Sequence, residues 1–242
     1  MPDATPAPSR TLLVTGASRG IGLETARRFL QNDPALTKVF TLARPSHDFD
    51  DAVAELRALA RPGVEVVRYD VDLGDRAAVI DVVDRVATEH GNVDLLVNNA
   101  GYTKPVPLQQ VDFADFERTI AVNLYAPFTF VQELLRRGNR FELIVNIAST
   151  AGINGRSGWL TYSASKAAVI NMSEVMRSEL AIYGTRVACI SPGRTATALR
   201  RVLAPDEDPA TIMQPQDVAE VIEMLASPVG RFVDSANIVV RQ

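Results

Sequence analysis

Seven short apolar runs of β type alternate along this chain with segments of helical period, and that alternation restricts the architecture more than any other feature. The runs fall at 11–15, 38–43, 64–69, 93–97, 142–148, 185–191 and 237–240, and the helical segments at about 20–31, 49–60, 75–90, 112–137, 161–183 and 215–226. A strand, a helix and a second strand in succession cross over a sheet, and right-handed crossovers give parallel neighbours with helices on both faces. The chain is therefore expected to fold as an α/β protein with a doubly wound parallel sheet of about seven strands. At 242 residues it can bury a sizeable core, and no linker, repeat or low-complexity segment divides it. One domain over 11–242 is expected. Residues 1–10 carry Pro2, Pro6 and Pro8 without an apolar centre, which reads as a flexible tail and not as a signal peptide.

Composition narrows the function classes. A net charge of −4 gives no reason to expect nucleic acid or an anionic membrane surface, and no apolar stretch is long enough to span a bilayer. Cys189 is the only cysteine, so no intrachain disulfide can form, which fits a reducing, cytoplasmic setting. His47 and His90 stand singly without a second ligand type nearby, so no metal site is expected. Cys189, in a strand run, reads as a small core residue.

Chemistry enters at the first strand–helix junction. The run Thr11-Leu12-Leu13-Val14 leads into Thr15-Gly16-Ala17-Ser18-Arg19-Gly20-Ile21-Gly22 and then into an amphipathic segment with Leu23, Ala26, Phe29 and Leu30. Glycine is needed where a side chain would keep the backbone from a pyrophosphate, and the helix N-terminus offers free N–H groups and partial positive charge. A second constellation lies downstream. Tyr162 and Lys166 are four residues apart and share a helix face, and Ser149 ends the strand run thirteen residues before the tyrosine. A phenol with an unperturbed pKa of about 10 is a poor proton carrier at neutral pH, and a nearby cation lowers that pKa. The Y-x-x-x-K spacing alone is common by chance; the glycine turn before it gives it weight.

Together these residues resemble the classical short-chain dehydrogenase/reductase family over nearly the whole chain. Thr15 to Gly22 matches the family's T-G-x-x-x-G-x-G motif, Asn98-Asn99-Ala100-Gly101 its N-N-A-G motif, and Pro192-Gly193 its P-G motif. The resemblance implies a Rossmann-like fold and a catalytic tetrad of Asn123, Ser149, Tyr162 and Lys166. It also implies a nicotinamide cofactor bound by Gly16, Ser18, Arg19, Gly20, Ile21, Gly22, Asn99, Ala100 and Gly101, by Tyr162, Lys166, Pro192 and Gly193, with Thr195 and Thr197 at the carboxamide and Asp70 and Val71 flanking the adenine. Arg44, which follows the second strand where an acidic residue would select a free ribose hydroxyl, points with Arg19 to NADP(H) over NAD(H); Asp48, in the following turn, weakens this slightly.

The reaction implied is hydride transfer between a carbonyl, or secondary alcohol, and the nicotinamide: carbonyl reductase or ketoreductase chemistry. Tyr162 is the acid, Ser149 holds the substrate oxygen, Lys166 lowers the phenol pKa and binds ribose, and Asn123 holds a proton relay. The segment 194–213 is expected to close over a small substrate, with Tyr102, Ile153, Trp159, Arg194 and Arg200 around it. If an arginine there points inward, a ketose phosphate or keto acid becomes the alternative substrate. Arg194-Thr195-Ala196-Thr197 with Arg200 faintly resembles the reductase module of pentulose-phosphate reductases. A cofactor-binding regulatory protein without turnover is a further alternative, against which the complete tetrad speaks. Segments 112–137 and 161–183 are expected to pair across a two-fold axis in a homodimer. The C-terminal Val233-Asp234-Ser235-Ala236-Asn237-Ile238-Val239-Val240 lacks the family's D-G-G ending, which puts a homotetramer in doubt.

Overall fold

The computed structural model describes residues 9–233 and 235–242. The strands are β1 Arg10–Thr15, β2 Leu36–Ala43, β3 Glu65–Asp70, β4 Leu95–Asn98, β5 Leu143–Ile147, β6 Arg186–Pro192 and β7 Asn237–Val240. All pair in parallel, in the order β3-β2-β1-β4-β5-β6-β7. The helices are α1 Gly20–Asn32, α2 His47–Leu59, α3 Arg76–Glu89, α4 Phe113–Ile120, α5 Ala126–Arg136, α6 Thr150–Ile153, α7 Leu160–Leu180, α8 Ala198–Leu203 and α9 Pro215–Ala226. The doubly wound, Rossmann-like sheet expected from the alternation is the fold observed.

Period-two alternation divides β1 between two cores. Leu12 and Val14 belong with Phe29 and Leu30 of α1 and Ile222 and Leu225 of α9 on one face. Leu13 belongs with Val82 and Val86 of α3 and Phe130 and Leu134 of α5 on the other. Because both faces are covered, the central strands read as continuous apolar runs. Each fully buried Leu, Val or Phe contributes about 1.5–3 kcal/mol. The order reverses at β1, whose neighbours are β2 on one side and β4 on the other. The loops leaving these two strands therefore part and open a crevice at their carboxyl ends.

Some expectations were off. The segment 112–137 is not one regular helix: a π-helical turn, Ala121–Tyr125, separates α4 from α5, and Ala126 N–H bonds to Ala121 O. Pro127 in the first turn of α5 has no N–H to give, and the Asn123 side chain is held by groups outside the helix, both of which favour a local widening. The segment 161–183 ends as α7 at Leu180, followed by a 3₁₀ turn at Ala181–Tyr183 and Gly184 with φ 75°. Arg10 is not part of a tail. It opens β1, and its guanidinium bonds to Asp33 at 2.9 Å and Glu142 at 3.0 Å. Residues 1–8 and Asp234 lie outside the described residues. The helices at 150–153 and 198–203 are too short for periodicity to reveal.

Candidate active site

The glycine turn is built for close approach. Gly16 and Gly20 have φ of 70° and 60°, a left-handed backbone that side chains disfavour. A Cβ on Gly22 would run into Gly16 O and come within 2.6 Å of Asn99 Nδ2. That same Nδ2 donates to Thr15 O at 2.9 Å, while Thr15 Oγ1 accepts from the amides of Asn99 and Ala100 at 3.0 and 3.1 Å. The loops after β1 and β4 are thus fastened together at the crevice. Helix α1 begins without a side-chain cap and without an acidic residue in its first turn. By contrast Ser46, Asp75 and Asp112 cap α2, α3 and α4 with their own oxygens. The first amides of α1 are left without a side-chain acceptor, which fits the pyrophosphate of a dinucleotide.

A cavity of about 420 Å³ runs from this loop to the end of β5 and the N-terminal turns of α7. Ser149, Tyr162 and Lys166 all line it. Tyr162 and Lys166 are buried, on one face of α7, with Lys166 Nζ 5.8 Å from the phenol ring centroid and donating to Ile147 O at 2.7 Å. Burial pushes the Tyr162 phenol up, while a hydrogen bond from Ser149 and the charge of Arg200 pull it down. Arg200 thus adds a second cation near the phenol beside Lys166. Burial drives the Lys166 ammonium down to about 8, and it drives the neighbouring Cys189 thiol up to about 11. Asn123 does not line the cavity. Its Oδ1 accepts from Tyr102 N at 2.8 Å, and its Nδ2 donates to Tyr102 O at 3.0 Å and Ser165 Oγ at 2.9 Å.

Most of the anticipated cofactor residues meet at this cavity: Gly16, Ser18, Arg19, Gly20, Ile21, Arg44, Val71, Asn99, Ala100, Gly101, Pro192, Gly193, Thr195 and Thr197. Gly22 sits behind the loop as a packing contact. Asp70 lies elsewhere, its carboxylate taken by Arg68 at 2.8 Å, and Asp72 and Leu73 line the cavity beside Val71. Asp72 accepts from Gly74 N and from Arg118 and is held below the usual carboxylate range, burial opposing these two bonds. The signal for this register was present in Asp75, which caps α3 three residues further on. Of the anticipated substrate residues, Tyr102, Trp159, Arg194 and Arg200 line the cavity, while Ile153 is exposed outside it. Sequence reasoning missed Arg118 and Arg156, both of which line it.

The two arginines thought to select the cofactor differ. Arg19 is paired with Asp48 at 2.8 Å, both exposed. Arg44 lines the cavity and makes no ion pair among the described residues. Arg200 and Arg194 both reach Glu207, the former through bonds of 2.5 and 2.8 Å, the latter at 3.3 Å.

An open parallel sheet with a glycine turn at its switch point, and a serine, tyrosine and lysine at the far end of the same crevice, defines an α/β oxidoreductase working with a nicotinamide cofactor. The short chain dehydrogenase family model matches residues 10–208, and the chain belongs to that family. It is 33% identical over 239 residues to a 3-oxoacyl-acyl-carrier-protein reductase of Thermotoga maritima, covering 93% of each protein. To a cis-4-hydroxycyclohexanecarboxylate dehydrogenase of Sinomonas cyclohexanicum it is 32% identical, covering 96% of this chain and 94% of the other. Among solved structures, a blue fluorescent protein from a metagenomic library in complex with NADPH superposes with a TM-score of 0.82 at 29% identity, over 96% of each chain. No described helix is long and apolar enough to cross a membrane.

Proposed function

We propose that this chain is an NADP(H)-dependent reductase of small carbonyl compounds, also able to oxidise the corresponding secondary alcohols. The observation that carries the reading is that Ser149, Tyr162 and Lys166 line the same cavity as the uncapped start of α1. When bound, the nicotinamide supplies or removes the hydride. Ser149 donates a hydrogen bond to the substrate oxygen and so favours the negative charge that grows there. Tyr162 passes its hydroxyl proton to that oxygen in reduction and takes it back in oxidation. Lys166, cationic at neutral pH and donating to Ile147 O among the described residues, has N–H groups to spare for the nicotinamide ribose and stabilises the phenolate. Asn123 keeps the Tyr102 backbone in place against α7 through Ser165 and so sets the wall opposite the lysine.

Arg44, which lines the cavity without a direct ion pair among the described residues although the Asp72 carboxylate feels its charge, supports NADP(H) through a charge-assisted grip on the 2′-phosphate; Arg19 contributes less because Asp48 engages it. The relative that carries NADPH in its structure supports the same preference. The segment 194–213, in this reading, closes over the substrate as a lid within a single catalytic domain spanning 11–242. Exposed apolar residues on α4, α5 and α7, among them Phe113, Phe128 and Val175, support a homodimer as the minimum assembly. The setting is cytoplasmic.

The deciding test follows NADPH consumption against neutral ketones, keto acids and ketose phosphates, with Tyr162→Phe alongside. The variant is expected to lose about 10²–10⁴-fold in turnover while still binding NADPH. Normal turnover by Tyr162→Phe would remove the assigned acid.

A further inference from the structure

The end of the cavity beyond Tyr162 has a charge pattern that a neutral ketone does not require. Arg156, Arg194 and Arg200 line it there. Among the described residues the only acidic side chain in the lining is Asp72, at the β3 end, where it is bound to Arg118. Glu207, behind the wall, is shared by Arg200 and Arg194. Arg156 makes no ion pair among the described residues and is exposed at the cavity rim. One carboxylate against three guanidinium groups leaves this end with excess positive charge, which concentrates anions.

The arginines are also organised. Both Arg156 and Arg200 lie over the Trp159 ring, 5.3 and 5.6 Å from its centroid. That ring meets Tyr162 edge-on at 6.4 Å and 76°. The aromatic face restrains the guanidinium groups, so they stand one ring away from the phenol and a short carbon chain from the reacting carbonyl. This end is separate from Arg19 and Arg44, which follow β1 and β2. We propose that the cavity takes a carbonyl compound bearing an anionic group, a carboxylate or a phosphate monoester, held by Arg156 with Arg200 across the face of Trp159. The inference rests on the reductase reading above and adds the substrate class to it. Glu207 fixes Arg200 in its position over the indole, and Arg156 supplies the free fork for the anion.

Trp159 is the sole tryptophan of the chain and reports on this site directly. Protein saturated with NADP+ is titrated at constant ionic strength with 3-hydroxybutyrate, with its methyl ester and with glycerol 3-phosphate, and tryptophan emission is read. A saturable change is expected with at least one of the two anions, at concentrations tenfold or more below any response to the ester; which anion gives it separates carboxylate from phosphate recognition. Arg156→Ala is expected to weaken that response about tenfold or more. Equal responses to acid and ester, no saturable response to either anion, or an unchanged response in Arg156→Ala each overturns the proposal. NADPH binding is measured separately on both proteins. A wild-type protein that fails to bind NADPH sinks the reductase reading itself, whereas NADPH binding without discrimination of the anion sinks only the substrate class.

Discussion

Replacing Lys166 by methionine should stabilise the cofactor-free protein while abolishing its turnover. The ammonium is buried, donates to Ile147 O at 2.7 Å, and titrates at about 8 in place of 10.5 because burial disfavours its charge. At about 1.4 kcal/mol per unit, holding that charge inside the folded protein costs about 3 kcal/mol at neutral pH. Methionine has a similar length and no charge, but it leaves the Ile147 carbonyl without this donor, a loss of about 1–2 kcal/mol. The net gain is therefore about 1–2 kcal/mol, or about 2–4 °C in Tm for each kcal/mol at this chain length. The pH dependence makes the effect specific. With the folded pKa below the unfolded one, the cost is fully present below about 8 and fades as pH rises towards 10.5, because over that interval the unfolded chain binds more protons. The advantage of Lys166→Met over the parent should accordingly shrink by about 1 kcal/mol between pH 7 and pH 9. The buried Cys189 thiol, raised to about 11, works in the opposite direction above its unfolded pKa of about 9, so the comparison stops there. Urea or thermal unfolding of both proteins at the two pH values measures this, with NADPH oxidation alongside. A variant less stable than the parent at pH 7, or an advantage that does not change with pH, would refute the reasoning.

Three more perturbations test neighbouring parts of the site. Arg44→Asp should shift preference from NADPH towards NADH by about tenfold or more, since it replaces an attraction for the 2′-phosphate by repulsion; an unchanged ratio of kcat/KM for the two cofactors removes Arg44 from the argument. Gly22→Ala places a methyl against Gly16 O and 2.6 Å from Asn99 Nδ2, and overpacking of about 1–3 kcal/mol should weaken NADPH binding about 5- to 150-fold in a fluorescence titration. Gly152→Ala brings a Cβ within 2.6–2.8 Å of the Lys166 and Ala167 backbone and so pushes Ser149 away from α7; kcat should fall more than NADPH affinity, and a fall in affinity alone would contradict that reading.

Strand and helix alternation, the glycine turn and the Ser149–Tyr162–Lys166 spacing were legible because each is a local pattern with one physical cause. What escaped the sequence depends on partners distant along the chain. The π-helical turn at Ala121–Tyr125 reflects Pro127 together with the hold of Tyr102 and Ser165 on Asn123, and none of those contacts is visible in helical periodicity. Asp70 was placed beside the adenine by the family resemblance, but the chain turns so that Asp70 meets Arg68 and Asp72 faces Gly74 and Arg118. Arg19 looked free in one dimension and is paired with Asp48 across a loop. Arg156 was passed over because a single arginine in a turn has no pattern; only the fold brings it over Trp159.

The two ends of the cavity are supported in different ways, and this bears on which features vary between related enzymes. Behind Tyr162 and Lys166, buried polar groups tie α7 to the sheet: Asn98 donates to Asn146, and Asn146 to Ser173, at 2.8 and 2.9 Å. Gly152 lets α6 rest on the α7 backbone at Lys166 with no side chain between them. Such a support holds the reacting groups through packing and hydrogen bonds that cannot shift one at a time. The opposite wall is made of the six-residue helix α8, backed by the pairing of Arg194 and Arg200 with Glu207, much of it half-exposed. Substitutions there alter charge and shape without disturbing the sheet. In the proposed reading, proton transfer therefore belongs to the strand ends and α7, and substrate choice to the turn carrying Arg156 and the segment from Arg194 to Met213. Two short-chain dehydrogenases can thus share the first almost unchanged while differing completely in the second.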